Sequence, residues 1–146
     1  MIEAIIFDWV GTLYIFGGKG LFPYSEGVLR RLHKKYKLAV ISKATSDNVE
    51  TRMKQIHSIK KYFEVIIVDV DKTPEQYTEC MQRLSVKPKN TLVVGDRTLR
   101  EIQIGNKLGC QTYWIRNGRY AHEVPTKETG KPTKIINSVE DLLTIL

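Results

Sequence analysis

Five short runs recur along the chain: EAIIF (Glu3 to Phe7), KLAVIS (Lys37 to Ser42), FEVIIV (Phe63 to Val68), TLVVG (Thr91 to Gly95) and QTYWI (Gln111 to Ile115). Each is rich in β-branched and aromatic residues, which suits strands buried on both faces. Helical patterns fill the intervals. Ser25 to Tyr36 places Val28, Leu29 and Leu32 at helical spacing, Ser46 to His57 places Val49, Met53 and Ile56, and Pro74 to Leu84 places Tyr77, Met81 and Leu84. A fourth helix from Thr98 carries Ile102 and Leu108 and meets Gly109 where a helix stop belongs. Alternating strands and helices predict an α/β chain of three layers, a Rossmann-like arrangement with a central parallel sheet, helices on both faces and right-handed crossovers. The chain closes with a loop from Asn117 to Pro132, an edge strand TKIIN, and a helix SVEDLLTIL whose Ser138 and Asp141 resemble a capping box.

The 146 residues are the size of one ordinary domain with a single core, so residues 1–146 are read as one unit. Apolar residues make up 42% and no run reaches the roughly 18 needed to span a membrane, so the chain is expected to be soluble and not membrane-bound. MIEAIIFD has an early acid and no basic leader, which reads as a folded strand and makes a cytoplasmic location the expectation. Cys80 and Cys110 form no C-x-x-C pattern and are expected to be packed thiols.

The net charge is +7 and unevenly placed: Arg30 to Lys61 holds ten basic residues against the two acids Asp47 and Glu50. Such a cluster attracts phosphate esters or nucleic acid, or it is simply the solvated face of two helices. No aromatic residues interleave with it as stacking platforms would require.

In a doubly wound sheet ligands bind beyond the carboxyl ends of the strands. The residues there are Asp8, Ser42 with Lys43, Asp69 to Lys72, and Asp96. Carboxylates from separate strands beside a hydroxyl and an ammonium group make a candidate magnesium and phosphate site. Hard cations take oxygen ligands, a phosphoryl group takes donors and positive charge, and a carboxylate serves as nucleophile.

The order FDWVGTL, AVIS, DKTPEQY, LVVGDRTLRE resembles the haloacid dehalogenase superfamily of phosphohydrolases, over essentially the whole chain. That family's first motif, D-x-D-x-T, maps onto Asp8, Trp9, Val10, Gly11 and Thr12. Ser42 matches the second motif, Lys72 is the candidate for the third with one residue less than the usual K-P-x-P spacing, and Gly95, Asp96 and Glu101 match the fourth. The resemblance implies that Asp8 attacks phosphorus to form an aspartyl-phosphate. It implies Mg²⁺ held by Asp8, the Val10 carbonyl, Asp96 and, directly or through water, Glu101. Ser42 would bond a phosphoryl oxygen and Lys72 would offset its charge, while Lys43 touches substrate or solvent.

Val10 departs from the motif. Family phosphatases carry there the acid that protonates the leaving oxygen, and valine cannot. Only about a dozen residues, Leu13 to Tyr24, separate the first motif from the next helix, so no cap domain is expected. The FGGKG within them lacks Walker spacing and reads as a flexible flap. His33, His57 and His122 show no metal-ligand spacing. Three function classes follow. One is a hydrolase acting on a phosphorylated small molecule or macromolecule, altered by Val10. The second is a pseudoenzyme serving as a binding or regulatory module. The third is a nucleic-acid end-processing or binding protein. A lid borrowed from a neighbouring subunit, and hence an oligomer, is compatible with the open site.

Overall fold

A computed structural model describes residues 1–146. Six strands form one sheet: β1 (Ala4–Phe7), β2 (Lys37–Lys43), β3 (Val65–Asp69), β4 (Thr91–Gly95), β5 (Gln111–Ile115) and β6 (Lys134–Ile136). Every pairing is parallel and the order is β3-β2-β1-β4-β5-β6, with Ile5 set between Leu38 and Leu92. The helices are α1 (Ser25–Leu32), α2 (Val49–His57), α3 (Pro74–Leu84), α4 (Gln103–Leu108) and α5 (Leu142–Ile145).

Successive strand residues point to opposite faces, and both faces are covered. Ile5, Phe7, Leu38, Val40, Leu92 and Val94 pack with Val28 and Leu29 of α1, Ile56 of α2 and Leu142 of α5. Ala4, Ile6, Ala39, Ile41 and Val93 pack with Tyr77, Cys80 and Met81 of α3 and Ile104 of α4. This three-layer α/β architecture is the one the alternating runs predict. Cys80 and Cys110 are buried free thiols, the latter 3.7 Å from Met81 Sδ. No helix is long and apolar enough to cross a membrane.

The differences are local. α1 stops at Leu32 rather than Tyr36, because His33, Lys34 and Lys35 are exposed and give the helix nothing to bury. Ser46–Asn48 is a 3-10 turn before α2. The helix expected from Thr98 opens as a wide π turn, Thr98–Ile102, before α4. The last helix is reduced to a 3-10 turn and α5, although the Ser138 and Asp141 capping box is formed.

From β1 the chain winds outward through β2 to β3, then α3 carries it back to β4 on the other side of β1. The winding reverses between β1 and β4, which opens a crevice at their carboxyl ends. Residues 8–24 contain only turns and isolated bridges, and residues 70–73 join β3 directly to α3, so neither connection holds an inserted domain.

Candidate active site

Asp8 extends β1, its N–H donating to the Val94 carbonyl at 3.0 Å. The chain then folds sharply: the Trp9 carbonyl accepts from the N–H groups of Thr12, Leu13 and Tyr14 at 3.1, 2.8 and 3.0 Å. Trp9 is fully buried and stacks on Tyr14 at 5.5 Å, which anchors the turn. Gly11 has φ +83°, and a Cβ there would run into the Asp96 carboxylate. Glycine therefore lets the turn lie against Asp96.

Glu101 returns to the same place through the π turn, closed by Ile102 N–H donating to the Arg97 carbonyl at 3.3 Å. Such turns insert an extra residue and recur at functional sites. A Cβ at Gly95 would collide with the Glu101 side chain, so this glycine provides the space the glutamate fills. The opposite wall comes from residues 70–73. Asp71 Oδ1 accepts from Lys72 N–H at 2.9 Å, and Thr73 and Gln76 form a capping box on α3 with Pro74 in its first turn. Lys72 Nζ donates to Asp8 Oδ1 at 2.8 Å and to Glu101 Oε1 at 3.2 Å, with its side chain 2% exposed.

Asp8, Asp96 and Glu101 thus lie buried with oxygens within 4.8 Å of one another, with Lys72 as the one cation bonded among them. Burial, then the charges of Asp8 and Glu101, push the Asp96 carboxyl up to about 9. Burial and Asp8 push Glu101 up to about 7, with Lys72 opposing. Burial works against the Lys72 ammonium, but the two carboxylates outweigh it and hold its pKa above the usual lysine value. An all-oxygen donor set with excess buried negative charge fits a hard divalent cation. The sign of the linkage is testable. Asp96 rises from 3.8 unfolded to about 9 folded, so the ion-free chain should lose stability as pH climbs through that window. Added Mg²⁺ should raise the melting temperature more at about pH 8 than at about pH 6, because a cation takes the place of the proton. Asp96→Asn, isosteric with the protonated acid, should abolish both effects. Melts of the two proteins with and without Mg²⁺ check this, and equal responses would refute it.

Ser42 lies one residue before the end of β2, and its buried hydroxyl accepts from Arg52 Nη1 at 2.6 Å, so that Arg52 and not Ser42 lines the cavity. That cavity, about 190 Å³, has Asp8, Lys72 and Asp96 as its buried part. Val10, Phe16 and Tyr120 supply its apolar wall, and Lys43, Arg52, Arg97 and Arg100 its positive one. No histidine lines it and no acid other than Asp8 and Asp96.

A model of the haloacid dehalogenase-like hydrolase family matches residues 20–115. The chain belongs to that family. Among curated relatives, a glyceraldehyde 3-phosphate phosphatase of Methanopyrus kandleri is 33% identical over 92 residues, 56% of this chain and 40% of that protein. Pyrophosphatase PpaX of Halalkalibacterium halodurans is 30% identical over 139 residues, 85% of this chain and 60% of the relative. The chain spans about half the length of the curated relatives it matches. Among solved structures, an HAD phosphatase from Thermococcus onnurineus superposes with TM-score 0.76 at 16% identity, covering 99% of this chain and 97% of that one. The HAD-hydrolase YfnB of Bacillus subtilis, bound to magnesium, gives 0.72 at 21% identity, covering 88% and 57%. At such identities these structures establish the shared fold. The family match begins after Asp8, so the geometry around β1 stands on its own.

Five cavity residues escaped the sequence reading as site residues, Phe16 among them, which was visible only as part of the FGGKG flap. Arg52 was visible only as one member of a basic cluster, and Arg97 and Arg100 only as neighbours of Asp96. Tyr120 lies in a loop without pattern, yet its ring takes the Arg97 guanidinium at 4.0 Å. Glu123 ties that loop down, accepting from Arg97 Nη2 at 2.9 Å and from Thr98 N–H at 2.8 Å. Glu123→Ala should cost about 2–3 kcal/mol of stability, since it strands a buried N–H and a guanidinium. Urea unfolding measures it, and a cost under about 0.5 kcal/mol would contradict the role. The basic cluster itself is divided. Lys43 and Arg52 face this site, whereas Lys34, Lys35, Lys37 and Lys61 line a cavity of about 600 Å³ where β1 and β2 begin. The expectation that no aromatics interleave there is corrected: Lys35 lies over the Tyr36 ring at 5.9 Å and Lys61 over Tyr62 at 5.2 Å, each ring belonging to the residue that follows its lysine in sequence.

Proposed function

We propose that the chain is a Mg²⁺-dependent phosphohydrolase in which Asp8 accepts the phosphoryl group of a phosphorylated small molecule and then yields it to water. The observation that carries this reading is the buried Lys72 ammonium, which fixes one oxygen of Asp8 at 2.8 Å beside a cavity walled by further cations. A carboxylate so held is oriented for attack, and the positive wall draws a phosphate to it. Asp8, the Val10 carbonyl, Asp96 and Glu101 would hold the cation, Glu101 directly or through water. When bound, Mg²⁺ supplies charge neutralisation between the nucleophile and the phosphoryl oxygens. Lys72 offsets charge on the phosphoryl group, and Ser42 acts by holding the Arg52 guanidinium at the cavity wall.

The relatives' names support small substrates, either a phosphomonoester or pyrophosphate. Val10 selects among them by leaving group. It lines the cavity, and no substitute acid does. General acid catalysis is typically worth 10²–10⁴-fold, so alkyl phosphates, whose leaving alkoxide needs a proton, should react slowly. Acyl and p-nitrophenyl phosphates should exceed glycerol phosphate in kcat/KM by at least about a hundred-fold. Comparable rates would overturn the reading of Val10. The same residue also favours a second reading, a pseudoenzyme that binds phosphate compounds without turnover, and absence of turnover with every one of these substrates would select it.

A further inference from the structure

Of the five cations lining the cavity, two are already matched. Lys72 is bonded to Asp8 and Glu101, and Arg97 to Glu123. Lys43, Arg52 and Arg100 have no carboxylate within ion-pair distance. Arg52 is half-buried, and burial lowers its pKa against the opposing charge of Asp8. Its Nη1 donates to Ser42 Oγ at 2.6 Å and to the Lys43 carbonyl at 2.9 Å, which holds the guanidinium plane in place. A guanidinium has five N–H donors in a rigid fork, so those of Nη2 and Nε remain without a protein acceptor. A partly desolvated, immobilised guanidinium with free donors at a cavity wall is built for an anionic ligand.

The amount of positive charge identifies that ligand. Lys72 and a divalent cation suffice for the phosphoryl group being transferred, and three more cations exceed what a monoester presents. A second phosphate would match them. It would also remove the difficulty posed by Val10, since a leaving phosphate departs as a stable anion and needs no proton donor.

We propose that Lys43, Arg52 and Arg100 form a subsite for a second phosphate, and that the substrates are phosphoanhydrides whose leaving group is itself a phosphate. The inference rests on Asp8 as nucleophile. An Asp8 oxygen bonds to the terminal phosphorus as the bond from that phosphorus to the bridging oxygen breaks, and the bridging oxygen leaves with the electron pair as part of the second phosphate. Guanidinium and ammonium charge meets the growing negative charge there, in place of a proton. Water then attacks the phosphorus of the aspartyl-phosphate and the Asp8 carboxylate departs with its electron pair. One water proton stays on the product phosphate and the other passes to solvent.

Binding and turnover test the two layers separately. By calorimetry at fixed free Mg²⁺, methylenediphosphonate should bind at least about ten-fold more tightly than inorganic phosphate. Arg52→Gln and the exposed-site variant Lys43→Ala should each shrink that ratio several-fold. In turnover, Arg52→Gln should lower kcat/KM for pyrophosphate about ten-fold to a hundred-fold relative to its effect on p-nitrophenyl phosphate, which offers a good leaving group without a second phosphate. A ratio near one in the wild type, or a ratio unchanged in both variants, overturns the subsite. Retention of the binding ratio in a chain that turns over neither substrate would support the subsite and overturn the hydrolase reading instead.

Discussion

Asp8→Asn should lower turnover of p-nitrophenyl phosphate by more than about a thousand-fold while leaving the chain folded. The amide keeps an oxygen at the position where Asp8 Oδ1 accepts from Lys72 at 2.8 Å, so the side chain has no reason to move. What it loses is the negative charge that makes the carboxylate a nucleophile. Stability should hold or rise, because the exchange removes one of three crowded carboxylates and Lys72 keeps Glu101 at 3.2 Å. The activity loss is then separable from unfolding. Steady-state kinetics beside a thermal melt measures both, and residual activity within about ten-fold of wild type would rule out Asp8 as the attacking group.

The sheet and most of the candidate site could be read in the sequence, and the reasons lie in particular residues. Thr91–Gly95, Gln111–Ile115 and Pro74–Leu84 have the predicted bounds. The strands are limited by where apolar burial ends, and α3 by its Thr73 cap and Pro74. Asp8 and Asp96 were placed by the same logic, since residues just beyond buried strands emerge at one end of a parallel sheet. The π turn had no separate signal because Ile102 and Leu108 keep helical spacing through it, and only Gly95 hints at the space Glu101 occupies. Arg52 could not be told from other surface cations on α2, because its role depends on how that helix lies against the end of β2. Tyr120 and Glu123 reach Arg97 and Thr98 through a fold-back across about 25 residues of loop, a contact that no local periodicity encodes. Apart from Lys43, which its place at the end of β2 already marked, the cations of the cavity wall depend on how distant segments pack.

Val10→Asp should raise turnover of an alkyl phosphate such as glycerol phosphate by about ten-fold to a thousand-fold. Val10 lines the cavity beside Asp8, so a carboxyl at this position enters the space where the leaving oxygen must be. The backbone carbonyl offered to the cation is untouched by the exchange, and Mg²⁺ binding should survive. The gain stays below the full general-acid range for two reasons. No neighbouring residue is arranged to orient the new group, and Lys43, Arg52, Arg97 and Arg100 around the cavity favour its ionised form, which cannot donate a proton. The same cations explain why pyrophosphate turnover should not improve in parallel: its leaving group never needed the proton, and the added negative charge opposes it. Val10 is half-buried against the core that includes Trp9, so some stability will be lost, and rates must be compared at equal folded fraction. A rise confined to alkyl phosphates assigns the missing step to proton donation. A folded, Mg²⁺-binding variant with unchanged turnover would show that the site lacks more than its acid, and would favour the binding module over the hydrolase.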